Sequence, residues 1–136
     1  MKDRFKFRVW SKECSEYIEQ ECLDCYITYA GELICYNLED TDDDCIYGGY
    51  PKDDAIIEQS TGLKDKNGKL IYEGDILKPL SNSIKKQVIY DDGCFWAKDV
   101  IYFHDACHIY KRWIDECGYE IIGNIHENPE LLKEKE

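Results

Sequence analysis

Apolar and polar positions alternate through "RFKFRVW", with Phe5, Phe7 and Val9 on one face and Arg4, Lys6 and Arg8 on the other. That period of two predicts a half-buried strand. Two aromatic and β-branched runs, "YITYA" and "ELICYNL", joined through Ala30-Gly31, predict a second strand pair with a tight connection, while residues 16–22 read as strand or as a short helix. In "TGLKDKNGKLIYEGDIL", Asn67-Gly68 predicts a type I′ hairpin turn with both residues at positive φ, and Gly74 interrupts the following strand for a bulge or a close backbone approach. "KKQVIYDDGCFWAKDVIYF" repeats the device at Asp91-Asp92-Gly93. "HDACHIYKRWIDECG" fits two readings, an irregular strand or a helix that gathers Ala106, Tyr110, Trp113, Ile114 and Cys117 on one face and ends at Gly118. "GYEIIGNIHENPELLKEKE" gives a last strand and then a helical turn, with Asn128 as its cap, Pro129 in its first position and Leu131 and Leu132 anchoring it.

These elements predict a mainly β chain of antiparallel hairpins, with a small SH3-like or partly open barrel in the carboxyl-terminal half and a short helical turn at the end. A length of 136 residues fits one domain. The expected division within residues 1–136 is an amino-terminal strand, a variable acidic region over 13–55 and a barrel-like part over 56–136. A hydrophobic fraction of 43%, with 13% aromatic, is enough to drive folding despite 34% charged residues.

No run approaches the length of about 18 apolar residues that spans a bilayer, and the first residues carry no secretion signal. The expectation is therefore a cytoplasmic protein without a membrane. Net charge is −12, and its distribution is uneven. Residues 1–12 carry five basic side chains against Asp3, whereas residues 13–60 carry fourteen acidic side chains against Lys52 alone. Such a balance opposes nucleic-acid binding, because affinity for a phosphate backbone comes chiefly from Lys and Arg releasing counterions. A basic partner surface is favoured, although excess acid also serves solubility. The run 39–44, "EDTDDD", followed by Gly48-Gly49, reads as a solvated loop, and its spacing fails the calcium-loop pattern because Cys45 and Pro51 fall where Gly and Glu are needed.

Eight cysteines would suggest a disulfide framework in a small secreted chain, but in a reducing compartment they are simplest as small buried hydrophobes, as for Cys14, Cys35, Cys94 and Cys117. Cys22-Leu23-Asp24-Cys25 has the spacing of half a zinc site, which Cys14, Cys107 or His108 would complete, the candidate set being Cys22, Cys25, Cys107 and His108, yet a second close pair is missing. No cofactor is expected beyond that zinc alternative. The histidines His104, His108 and His126 lie among many carboxylates without a phosphate loop, an HExxH or a GxSxG, so no catalytic residues are assigned. Trp10, Tyr47 and Tyr50, at strand ends or beside the acidic run, are candidate partner contacts together with Asp42, Asp43 and Asp44.

"FKFRVW", "TGLKDKNGKLIYEGDIL" and "EIIGNIHENPELL", in that order, closely resemble the YopX family of small phage and prophage proteins. The resemblance implies a mainly β protein of the bacterial cytoplasm, with self-association and no catalytic residues to transfer. Three functions follow as hypotheses: a non-catalytic protein-binding or assembly module, an acidic mimic that blocks a nucleic-acid-binding host protein, and a zinc protein built on Cys22 and Cys25.

Overall fold

The computed structural model describes residues 5–18, 23–37, 46–47, 55–102 and 106–133. The chain is mainly β, with antiparallel sheets that include a half-barrel, one α-helix and a 3-10 turn near the carboxyl end. It divides into two units, Met1–Phe7 with Glu58–Glu136, and Arg8–Ile57. The chain crosses between them inside two strands, β1 (Phe7–Ser11) and β6 (Ala55–Lys64).

In the unit Arg8–Ile57, β1 turns back onto β2 (Glu16–Tyr17), so the start of the ambiguous stretch 16–22 is strand, and residues 19–22 lie outside the described residues. β3 (Leu23–Ile27), β4 (Leu33–Asn37) and β5 (Ile46–Tyr47) form a three-stranded antiparallel sheet. The Ala30-Gly31 connection is tight, as its residues predict. Thr28 N donates to Glu32 O and Gly31 N to Thr28 O, each at 2.8 Å, and Gly31 takes φ +80°.

In the other unit β6 pairs with β7 (Leu70–Tyr72). A half-barrel follows, built of β8 (Asp75–Lys78), β9 (Lys86–Asp91), β10 (Cys94–Asp99), β11 (Ala106–His108) and β12 (Glu120–Asn124), in the order β11-β10-β9-β8-β12. "HDACHIYKRWIDECG" satisfies both of its readings in turn, with β11 first and then α1 (Lys111–Cys117), which stops at Gly118 in the left-handed region at φ +63°. The final segment closes with the 3-10 turn Pro129–Leu132.

Two details differ from expectation. At Asn67-Gly68 only Gly68 has positive φ, because Asp65 N donates to Lys69 O and Gly68 N to Asp65 O, which makes a three-residue loop with a glycine bulge. The type I′ arrangement occurs instead at Asp92 and Gly93, both at positive φ between the directly paired Asp91 and Cys94. Nor does the Asn128 side chain cap the 3-10 turn: its Oδ1 accepts from Asn124 N at 3.2 Å, back across the preceding loop.

Ile71, Leu77, Val88, Ile114 and Tyr119 form the buried core of this unit, with Leu63, Phe95, Ile109, Trp113, Cys117 and Ile121 packed against them. A helix of seven residues without a side-chain cap is too short to stand alone. It is held by Ile114, which is fully buried, and by Trp113, whose ring stacks on Tyr119 at 3.9 Å. Burial pushes the Tyr119 phenol up to about 12, and Cys117, Cys107 and Asp99 add to the effect. The folded chain then holds a proton that the unfolded chain releases near pH 10, so this group's stabilisation is intact below about pH 10 and is lost as pH rises towards 12. An alkaline denaturation series is expected to show a steeper loss of stability for the native chain than for Tyr119→Phe over that range. Equal slopes would contradict it.

Candidate interaction surface

The middle and final motifs are two halves of one structural device. Asp65, only 6% exposed, accepts from Asn67 N and Lys69 N through Oδ1 and from Ile121 N through Oδ2, all at 2.9–3.0 Å. One carboxylate therefore closes the 65–69 turn and ties it to β12. Lys66 N adds a bond to Tyr119 O at 3.0 Å. Nine residues on, Gly74 stands at the corner where the chain leaves β7 and enters β8. Its N–H donates to Val88 O at 2.8 Å, and its carbonyl accepts from Ile125 N at 3.0 Å. Within β6, the hydroxyls of Ser60 and Thr61 hold the bulge around Gly62, with Thr61 Oγ1 also donating to Ile71 O. On the β12 side, Asn124 Oδ1 accepts from His126 N and Glu127 N, and Gly123 leaves room for Asn128 and Leu131 to close on the strand.

Beside the Gly74 corner, Glu58 Oε2 lies 3.4 Å from His126 Nε2, with the side chains 3% and 13% exposed. A carboxylate and an imidazole in contact are the parts of an acid-base pair. Both side chains are largely enclosed, and their contact holds β6 against the loop after β12. A Cβ at residue 74 would run into the Glu58 carboxylate, so glycine is needed there both for space and for its φ of +88°. Asp75, 2% exposed, accepts from Tyr72 N across the corner. The polar interior of this unit is thus used for turns and junctions.

What this unit offers to solvent is different in kind. Buried Asp99 accepts from Ile101 N at 2.8 Å and Tyr102 N at 3.0 Å through Oδ1, and its Oδ2 lies 3.8 Å from Lys86 Nζ. The resulting turn presents Ile101 and Tyr102, 39% and 56% exposed. Val100 N donates to Lys85 O at 3.1 Å, one bond beyond the Lys86–Asp99 pair that ends the β9–β10 ladder, and Ile84, 46% exposed, immediately precedes Lys85. Leu80 follows β8 at the same end and is 72% exposed, its side chain lying over Gly118, where a Cβ would come within 2.6 Å of it. Lys78, Lys85, Lys86 and Lys98 belong to the same strand ends. This end of the half-barrel therefore carries exposed apolar side chains among lysines.

The residues singled out by sequence are dispersed. Trp10 is buried, and its ring meets Tyr17 edge-on at 5.0 Å, with the Arg8 guanidinium over the Tyr17 ring. Tyr47 lies in β5, while Tyr50, Asp42, Asp43, Asp44 and Cys22 lie outside the described residues. Cys25 lies in β3. Cys107 and His108 are successive strand positions and so project to opposite faces. His108 stacks on Trp96 at 4.0 Å, whereas the Cys107 thiol donates to Ala97 O at 3.8 Å, and burial pushes that thiol up, Lys86 opposing and Cys117 reinforcing the shift. These two are not brought to a common point. Among the described residues no three His, Cys, Asp or Glu side chains gather as a metal site, and no helix is long and apolar enough to cross a membrane.

The model of the family described as YopX protein matches residues 6–133. The chain belongs to the YopX family. Among solved structures it is similar to protein EF1440 from Enterococcus faecalis, at 30% identity over 94% of this chain and 97% of that one, with a TM-score of 0.65. It is also similar to protein yopX from Bacillus subtilis, at 24% identity over 96% and 97% of the two chains, again with a TM-score of 0.65. No curated protein matches. The two later stretches that resemble YopX proteins in sequence are those joined by Asp65 and Gly74, which gives that resemblance a folding explanation. The patch of Leu80, Ile84, Ile101 and Tyr102 was missed in the sequence. Its signal was an apolar residue set among lysines in "LKPLSNSIKK", and two apolar residues beyond a strand end in "DVIYFHD".

Proposed function

We propose that this YopX-family chain is a non-catalytic assembly module, encoded by a phage or prophage and working in the bacterial cytoplasm, whose partner surface is a second copy of itself. One observation carries the reading: the exposed Leu80, Ile84, Ile101 and Tyr102 are rimmed by lysines on a chain whose strong acidity is concentrated in residues 13–60. An apolar centre with a charged rim has the composition of an interface, and the matching acidic segment is present on every other copy. Asp42, Asp43 and Asp44, with Tyr47 and Tyr50 close by in sequence, are the residues assigned to face the lysine rim. Contact between two different patches is head-to-tail and closes as a ring or runs on as a filament.

Sedimentation of the purified chain is expected to show self-association at low salt that weakens by about tenfold or more as the ionic strength rises past the point where charges beyond about 10 Å are screened. Ile84→Asp with Ile101→Asp is expected to abolish it while leaving the unfolding midpoint near that of the native chain. A chain that stays monomeric at low salt, or whose association ignores both salt and these substitutions, would overturn the reading.

A further inference from the structure

We propose that Cys25 and Cys35 form a reversible disulfide across the β3–β4 hairpin, with a small-molecule disulfide such as glutathione disulfide as the oxidant. The two cysteines are direct partners in the register of β3 and β4. The parity of the ladder then gives their spacing. Thr28 N donates to Glu32 O, so 28 and 32 are a hydrogen-bonded pair. Bonded and non-bonded pairs alternate along an antiparallel ladder, which makes 27 and 33 non-bonded, 26 and 34 bonded, and 25 and 35 non-bonded. Directly opposed Cα atoms at a non-bonded pair lie about 4.5 Å apart, inside the range of about 4.4–6.8 Å that a disulfide spans. Directly opposed positions also share one face of the hairpin.

In the reaction the thiolate of one cysteine attacks a sulfur of glutathione disulfide and releases one glutathione thiolate, leaving a mixed disulfide. The second cysteine's thiolate attacks the protein sulfur of that mixed disulfide and releases the other glutathione. The protein has lost two electrons and two protons, and glutathione disulfide has gained them. The bond would lock together the strands that carry the hairpin tip, where Tyr29 is fully exposed and Ile27 is 40% exposed, so the redox state of the pair would set how rigidly that tip is presented. Its test, a map of thiol linkages, is separate from that of the assembly reading, which is read by sedimentation.

The test uses the full chain equilibrated in glutathione buffers of increasing oxidised fraction, quenched by alkylation and mapped by peptide mass. The expected first linkage joins Cys25 to Cys35, and Cys35→Ser is expected to raise the oxidised-to-reduced ratio needed for the first disulfide by about tenfold or more. Should that variant fail to fold, the map of the native chain decides alone. A first linkage that uses Cys22, Cys45 or any other thiol would overturn the proposal. So would purified protein in which both cysteines resist alkylation until a chelator removes bound zinc.

Discussion

Gly74→Ala is expected to destabilise the carboxyl-terminal unit by about 3 kcal/mol. Two effects act together. An L-residue held at φ +88° costs about 1–2 kcal/mol by itself. The new Cβ would also occupy the space of the Glu58 carboxylate, which cannot swing into water because its residue is 2% exposed. Moving it disturbs the contact with His126, and a buried polar group that loses its partner costs about 1–3 kcal/mol. Gly68→Ala separates the two effects: Gly68 has φ +82°, but a methyl group there would meet nothing within 4 Å, so only the backbone cost of about 1–2 kcal/mol applies. Urea denaturation of the two variants checks the difference, and equal losses would contradict the role given to Glu58.

The second large effect is expected at Asp65. Asp65→Ala removes the acceptor for three backbone N–H groups, two in its own turn and one at Ile121, and leaves these donors with no carboxylate in a site that is only 6% exposed. A net loss of about 3 kcal/mol follows from the usual worth of hydrogen bonds to a charged group. Asp65→Asn keeps the size but points an NH2 at a donor on one side, and is expected to lose about 2 kcal/mol. Amide exchange at Ile121 should accelerate in both variants. If Asp65→Asn stays within about half a kcal/mol of the native chain, the tie between turn and strand is weaker than its geometry implies.

These cases show what was legible in the sequence. Alternation placed β1 and the β9–β10 hairpin, and aromatic and β-branched runs bounded by turn residues placed the β3–β4 pair and β12. The close approach expected at Gly74 is present. The turn type at Asn67-Gly68 was not legible, since it depends on Asp65 reaching Ile121, 56 residues away. Asn128 takes the cap position of the 3-10 turn as expected, but its side-chain oxygen accepts from Asn124 N, four residues back, and not from the turn. The exposed patch escaped notice because period and composition report which residues are apolar, and not that buried Asp99 turns Ile101 and Tyr102 outward.

The reading that this chain works through contact between copies rests on two different surfaces meeting, and mixing two inactive variants tests that most directly. One variant carries Asp42→Asn, Asp43→Asn and Asp44→Asn, the other Ile84→Asp and Ile101→Asp. Each is expected to sediment as a monomer alone, while an equimolar mixture regains a one-to-one dimer, because one chain keeps its patch and the other its acidic run. A mixture that stays monomeric, although the native chain assembles, would contradict the account.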